Sequence, residues 1–89
     1  MTKIKVKKIT DGDTIQSTRG GFYRLANVDA PEKRERGYQK AKETLKELVE
    51  DEKLIAKIVG TSHGRKVAIL RIPGEKTTIN EKMRRRGYI

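Results

Sequence analysis

The order in which strand-like and helix-like segments follow one another most constrains the fold of this chain. Apolar residues alternate approximately with lysines over 4–9, which predicts a half-buried strand. The Asp-Gly pair at 11–12 marks a turn or bulge, and 14–18 resumes the extended chain. Arg-Gly-Gly at 19–21 supplies the positive-φ residues of a hairpin. A third strand is predicted over 22–28, and the proline that follows must end it.

The middle of the chain changes to helical spacing. Apolar side chains recur three and four residues apart over 37–51, with Lys and Glu on the opposite face, which predicts an amphipathic helix. Strands are predicted at 54–59 and 66–72, joined across a short polar turn. Up to this point the order is three strands, a helix and two strands.

A short helix is predicted to close the sequence. Asn80 can cap it, the helix runs through Arg86, and Gly87 stops it. Three strands, a helix and two strands is the order of a five-stranded OB barrel with its helix between strands three and four. We therefore predict an α+β, mainly β fold in which residues 1–89 form a single domain with a short C-terminal helix.

Composition limits the class of function. The chain has 22 Lys and Arg against 12 Asp and Glu, a formal charge of +10, which favours a polyanionic partner such as DNA or RNA. It has no cysteine, which excludes disulfides, thiolate zinc sites and thiol nucleophiles. No uncharged stretch is long enough to span a bilayer, and no signal peptide is recognisable. We expect a monomer with no membrane partner, and a cytoplasmic location is favoured.

The acidic residues of the first third are distributed unlike surface acids. Residues 1–32 contain only four, and these form two tight pairs beside predicted turns: Asp11, Asp13, Asp29 and Glu32. From residue 54 onward there are nine basic residues against two acidic ones. The basic excess is suited to attracting a polyanion, so the two acidic pairs need a separate explanation.

The first pair belongs to the sequence Asp-Gly-Asp-Thr at 11–14. Two carboxylates separated by a glycine can turn toward one hard cation, because the glycine relaxes the backbone between them. In isolation, an Asp-Gly turn that begins a strand is the commoner interpretation of this motif. The motif is therefore a candidate metal site that depends on its neighbours.

The second pair follows an arginine that lies within a predicted strand. Arg24 precedes Asp29 and Glu32, and a second arginine, Arg65, begins a later strand just after His63. A hard cation can polarise a phosphoryl oxygen, arginine can neutralise a pentacovalent phosphorane, and a carboxylate can act as general base. Together these residue types predict a phosphodiester site, whereas each alone is also compatible with a salt bridge or an exposed loop.

Three motifs in this order resemble the staphylococcal nuclease-like (thermonuclease) family. Asp-Gly-Asp-Thr at 11–14 matches its first motif, Arg-Leu-x-x-Val-Asp-x-Pro-Glu at 24–32 its second, and Gly-Arg at 64–65 its third. Ile-Asn-Glu at 79–81 with Gly87 resembles the helix that follows the barrel. The resemblance implies an OB barrel and a Ca²⁺-dependent endonuclease that cleaves DNA and RNA.

The resemblance also implies roles for individual residues. Asp13, Asp29 and the backbone carbonyl of Ala30 correspond to metal ligands, with Asp11 as a further carboxylate near the metal. Glu32 corresponds to the general base or to the residue that orients the attacking water. Arg24 and Arg65 correspond to a transition-state-stabilising pair, and His63 takes a position beside the nucleotide, where it can contact the substrate. Apart from the resemblance, Arg84 and Arg85 can bind phosphates non-specifically, although a solvated helix face is the commoner interpretation of such a run.

Some features depart from the family pattern. Ala30 stands where a threonine is usual, and His63 stands where a tyrosine is typical. The sequence ends at Ile89, where members commonly continue into a third helix, so that helix is expected to be absent. Two alternatives to an enzyme remain open: a non-catalytic nucleic-acid-binding OB module, and an interaction fragment of a larger nuclease.

Overall fold

Five strands form a closed barrel that carries two helices. The computed structural model describes residues 1–89. Its elements in chain order are β1 (Thr2–Asp11), β2 (Thr14–Ser17), β3 (Phe22–Leu25), α1 (Tyr38–Val49), β4 (Lys53–Ser62), β5 (Arg65–Arg71) and α2 (Ile79–Arg85). The strands are arranged β1-β2-β3-β5-β4, and β4 pairs with β1 to close the barrel. All pairs are antiparallel except β3 with β5. This architecture confirms the predicted OB-like α+β fold.

The long first strand makes closure possible because it pairs on both sides. Its first half lies beside β4, where Ile4 opposes Leu54, and its second half lies beside β2, where Ile9 opposes Ile15. The register with β2 shifts twice, once after Val6 and once after Ile9. Such bulges bend a strand and increase its local twist. They bring the end of β1, with its acidic turn, over the N-terminal end of α1.

The interior of the barrel and the two helices share one hydrophobic core. Leu25, Leu54 and Leu70 fill the barrel from three different strands and are fully buried. Helix α1 adds three buried side chains spaced four residues apart, Ala41, Leu45 and Val49. Helix α2 adds Ile79 and Met83. Full burial of such a side chain contributes about 1.5–3 kcal/mol to folding. Neither helix has the length and apolar character that crossing a bilayer requires.

Several element boundaries differ from the prediction. Strand β3 ends at Leu25 and not at residue 28, because the chain turns at Asn27, where φ is 60°. In the β2–β3 hairpin only Gly20 has positive φ, so the prediction of several such residues there was wrong. The helix α1 begins after Gly37, whose φ of 86° belongs to the left-handed region that favours glycine.

Helix α2 begins differently from the prediction and ends as predicted. Thr78 is the N-cap, since its hydroxyl accepts a hydrogen bond from the Glu81 amide at 3.0 Å, so the assignment of Asn80 as cap was wrong. Gly87 terminates the helix at φ 98°, and the Tyr88 amide donates to the Met83 carbonyl at 3.2 Å. This backward hydrogen bond after a left-handed glycine is a Schellman motif.

Asn80 instead ties α2 to the barrel. Its Oδ1 accepts a hydrogen bond from the Leu70 amide at 2.9 Å, and its Nδ2 donates to the carbonyls of Ala26 and Ala68, each at 3.0 Å. The side chain is buried, so every one of these bonds replaces water that has been excluded. Asn80 therefore fixes the chain immediately after β3, where the acidic loop begins.

Candidate active site

The turn after β1 carries the first acidic pair and depends on close packing at its glycine. A Cβ on Gly12 would lie 2.5 Å from the Ala41 Cβ and 2.9 Å from the Ala30 Cβ. Neither distance is compatible with an ordinary carbon–carbon contact. Gly12 does not have positive φ, so its backbone conformation alone does not demand glycine. Glycine is required because α1 and the second acidic segment both approach it.

Helix α1 also contacts this turn through the side chain of Tyr38. Its hydroxyl lies 3.1 Å from the Thr10 carbonyl and 3.1 Å from Asp11 Oδ1, so the single hydroxyl proton is shared between two acceptors. Burial raises the pKa of Tyr38 above its usual value, and the hydrogen bond to Asp11 and the charge of Asp11 raise it further. Tyr38 thus holds Asp11 from the helix side.

Asp13 lies at the centre of a network that joins both arginines. Its Oδ1 accepts the Thr14 hydroxyl at 3.0 Å, and its Oδ2 lies 3.4 Å from Arg24 Nη2. The same Thr14 hydroxyl oxygen accepts a hydrogen bond from Arg65 Nη1 at 3.3 Å. Thr14 is fully buried, so the network has a rigid base. One buried hydroxyl therefore connects Arg65 to the Asp13 carboxylate.

The two arginines are held to different degrees. Arg24 donates to the carbonyls of Leu25 and Val28 at 3.0 and 3.1 Å, in addition to its contact with Asp13. It therefore supports the bend that follows β3 as well as facing the carboxylate. Arg65 makes one side-chain hydrogen bond, to Thr14. Most of the Arg65 donors remain available to a ligand.

The second acidic segment, Asp29–Glu32, lies on a loop whose backbone is anchored from α2. The Asn27 carbonyl accepts a hydrogen bond from Arg84, and the Asp29 amide donates to the Tyr88 carbonyl at 3.4 Å. Ala30 is buried against Gly12, whereas Asp29 and Glu32 are exposed. Neither of these two carboxylates accepts a hydrogen bond from the protein, in contrast to Asp11 and Asp13.

The two acidic segments and both arginines line one cleft of about 320 Å³. Its lining is Asp11, Asp13, Arg24, Asp29, Ala30, Pro31, Glu32, Lys33 and Arg65. No three acidic side chains approach closely enough to hold a metal ion among themselves. The available donors are nevertheless all oxygens, the ligands that Ca²⁺ binds, and Ca²⁺ completes its coordination with carbonyls and water. Carboxylate and carbonyl oxygens are therefore the kind of donor that a hard cation takes.

The sequence matches the family model described as staphylococcal nuclease homologue over residues 23–89, which is most of the chain. The chain belongs to the staphylococcal nuclease homologue family. The match includes Arg24, Asp29, Glu32 and Arg65, whereas the Asp-Gly-Asp-Thr turn lies before it. Among curated proteins, none matches the sequence. Membership therefore establishes a nuclease-type family, and the part played by Asp11 and Asp13 rests on the geometry of the cleft.

The three predicted substrate contacts lie outside this cleft. His63 is exposed in the β4–β5 turn, with φ 50°. Arg84 borders a separate cavity and donates to the Asn27 carbonyl. Arg85 is 67% exposed and lies 3.5 Å from Glu81. In this nuclease homologue, the side chains of Arg84 and Arg85 are thus both engaged in intramolecular contacts.

Sequence reasoning missed three residues of the site. Thr14 was recognised only as part of a motif, although it connects Asp13 to Arg65. Tyr38 lies at the helical spacing that predicts the buried face of the helix, whereas its hydroxyl reaches Asp11. Lys33 lines the cleft and adds a third cation. The motif threonine and the lysine beside Glu32 were available signals, but nothing local indicated the contact between Tyr38 and Asp11.

Proposed function

We propose that the chain is a Ca²⁺-dependent endonuclease that hydrolyses phosphodiester bonds in DNA, RNA or both. The observation that carries this proposal is the convergence of two acidic pairs and two arginines, from separate parts of the sequence, on one cleft. Carboxylates in a cleft that also presents arginines are suited to holding a cation against a phosphate. Membership of a nuclease-type family agrees with this chemistry.

Asp13, Asp29 and the carbonyl of Ala30 are the proposed ligands of the cation, and Asp11 is a further carboxylate beside it. The cation, when bound, polarises a phosphoryl oxygen and offsets the charge that develops on it. The contact of 3.4 Å between Arg24 and Asp13 is longer than a strong charge-assisted hydrogen bond, which measures about 2.7–2.9 Å. Asp13 therefore retains capacity to bind a metal ion.

Glu32 is the proposed general base. Its exposed carboxylate has no protein donor competing for its lone pairs, so it can accept a proton from a water molecule. The oxygen of that water attacks phosphorus as the bond to the leaving sugar oxygen breaks. The leaving oxygen takes a proton from solvent, and Glu32 returns its proton to solvent. Arg24 and Arg65 stabilise the additional charge on the phosphorane.

Residues at the edge of the site can extend contact with the substrate. His63 lies two residues from Arg65 in an exposed turn, where its ring can stack on a base. Arg84 and Arg85 can contact phosphates only by exchanging their contacts with Asn27 and Glu81. All three are therefore proposed substrate contacts, and His63 is the one whose side chain has no protein contact to exchange.

Cleavage of plasmid and single-stranded DNA and of RNA, with Ca²⁺, Mg²⁺ or a chelator, tests the proposal. Glu32→Gln should lower kcat by about 10²–10⁴, and Arg65→Ala should lower it by about 10²–10³. Matched controls are Glu47→Gln on the exposed face of α1 and Arg71→Ala at the opposite end of β5, both outside the cleft. These controls should retain wild-type activity.

Three outcomes would contradict the proposal. Cleavage that persists in the chelator would exclude a metal requirement. Equal activity of wild type and Glu32→Gln would exclude Glu32 as the base. Binding of nucleic acid by wild type without cleavage under any condition would instead support a non-catalytic binding module.

A further inference from the structure

The charge of the candidate cleft does not account for attraction of a polyanion. Its lining contains four carboxylates against three cations, Arg24, Lys33 and Arg65. A nucleic acid strand approaching this cleft therefore meets no net positive charge from the protein's side chains. Without a bound cation, retention of the strand therefore calls for further cations elsewhere on the surface, because phosphate contacts supply most of non-specific affinity.

A second cavity of the molecule provides such cations. It is a groove of about 520 Å³ between β1 and α1, which we term the lysine groove, and it contains Lys7, Lys8, Lys42 and Lys46. None of these four side chains forms an ion pair, since the three ion pairs of the structure lie elsewhere. Four ammonium groups are therefore free to meet a ligand along one face.

The lysine groove borders the candidate cleft. Lys8 precedes Asp11 by three residues on β1, a distance of about 10 Å along an extended strand. The Lys42 ammonium lies 5.5 Å from the centre of the Tyr38 ring, and the Tyr38 hydroxyl contacts Asp11. One tyrosine therefore separates the end of the groove from the acidic cleft.

Charge changes along the groove from one end to the other. The first residue of α1 contacts Thr10, near the end of β1, whereas the residues that follow α1 lie beside Lys5 and Val6, in the first half of β1. Helix α1 therefore runs antiparallel to β1. The end near the cleft has Lys8, Gln39 and Lys42, and the far end has Glu50 and Asp51. Glu43 is the one acid between these ends. Lys42 and Glu50 are separated by about 12 Å along the helix.

We infer that the lysine groove binds the phosphate backbone of a nucleic acid strand where it leaves the candidate cleft. The identity of the ligand rests on the proposed function. Lysine is a compact point charge that binds phosphate without reading sequence, so the groove would add affinity and not base specificity. The acids at the far end limit the bound stretch to the few phosphates nearest the cleft.

Fluorescence anisotropy with a labelled single-stranded DNA oligonucleotide of mixed sequence, in a chelator, tests this inference without turnover. The triple variant Lys8→Gln, Lys42→Gln, Lys46→Gln removes three groove charges. Its affinity should fall by at least tenfold, and the slope of log affinity against log salt should weaken by about 2. The double variant Lys57→Gln, Lys76→Gln removes exposed lysines outside the groove and should change affinity less than twofold.

The outcomes separate this inference from the proposed function. Wild type that binds and does not cleave, together with weak binding by the triple variant, supports the groove and contradicts the nuclease. Wild type that cleaves, together with a triple variant of unchanged affinity and salt slope, overturns the groove alone. If each variant loses affinity only in proportion to the charges removed, net charge and not the groove retains the strand. Binding of anionic lipid vesicles provides a further comparison. If the triple variant loses binding to the vesicles while its oligonucleotide binding is unchanged, the inference about the lysine groove is also overturned.

Discussion

The two acidic segments of the cleft are held in place by opposite means. In the Asp11–Asp13 turn, the carboxylates themselves accept hydrogen bonds from Tyr38, Thr14 and Arg24. In the Asp29–Glu32 loop, no carboxylate accepts a protein hydrogen bond, and anchoring is through the backbone. One segment has its side chains fixed, whereas the other has its chain path fixed and its side chains free.

This difference suits the two segments to different tasks. Carboxylates that already have protein partners keep a defined orientation, because each hydrogen bond restricts rotation of the side chain. Carboxylates without partners retain their lone pairs for water or a cation. We therefore expect the first segment to set the geometry of the cleft and the second to supply the groups that meet the ligand.

Gly12→Ala should disrupt the packing of the first segment and cause the largest loss of stability. The added methyl group would lie within 3 Å of Ala41 and Ala30, neither of which has a flexible side chain that could move aside. Overpacking of this kind costs about 3 kcal/mol. Urea denaturation measures the loss. Gly60→Ala is the matched control, since nothing lies within 4 Å of a Cβ at that position, and it should leave stability nearly unchanged.

The double variant Gly12→Ala, Ala41→Gly sharpens this test. It removes the closer of the two clashes but adds a glycine within α1, at a cost of about 1 kcal/mol. We expect recovery of part of the stability lost by Gly12→Ala, and hence a favourable coupling energy between the two positions. Strictly additive losses would show that the packing of α1 on the turn is not what requires glycine.

Asn80→Ala should loosen the second segment with a smaller loss of about 2 kcal/mol. The substitution leaves the buried Leu70 amide without its acceptor and releases the Ala26 carbonyl at the start of the acidic loop. Gln16→Ala removes an exposed amide that donates to the Gly20 carbonyl, and it should change stability by less than about 0.5 kcal/mol. Equal losses from the two substitutions would contradict the anchoring role of Asn80.

The barrel could be predicted from the sequence because its signals are local. Alternation, turn glycines and helical spacing each depend on residues within one segment, and their order then selects the OB topology. The stop at Gly87 was predictable for the same reason, since a left-handed helix end favours glycine. The end of β3 was not, because a single Asn at positive φ turned the chain before the proline.

The support of the cleft could not be predicted, because its contacts join distant parts of the chain. Glycine is required at position 12 by Ala30 and Ala41, which lie 18 and 29 positions later in the sequence. The Asn80 side chain donates a hydrogen bond to Ala26, 54 positions earlier. A motif shows that Gly12 or Asn80 belongs to a pattern, but not which atoms surround it. The same limit applies to Tyr38, whose helical spacing indicates a buried face and whose hydroxyl instead contacts Asp11.

Tyr38→Phe probes the contact between α1 and the first segment and should have the smallest effect. The folded state raises the pKa of Tyr38 above 10.0 through burial and through Asp11, so folding favours the protonated hydroxyl. The resulting stability is fully present below pH 10 and is lost as pH rises through the raised pKa. Wild type should therefore be more stable than Tyr38→Phe at pH 8, and this difference should diminish at pH 11.

Urea denaturation of both proteins at several pH values measures the difference in their free energies of unfolding. The effect of lysine titration is common to both proteins, so it cancels in this difference. Tyr88→Phe serves as the control, because the Tyr88 hydroxyl makes no hydrogen bond in the structure and its removal should change stability at pH 8 less than Tyr38→Phe does. A gap between wild type and Tyr38→Phe that stays constant from pH 8 to 11 would show that the hydroxyl contributes packing alone. In that case Asp11 would be oriented by its own backbone, and the two acidic segments would differ less than their hydrogen bonds indicate.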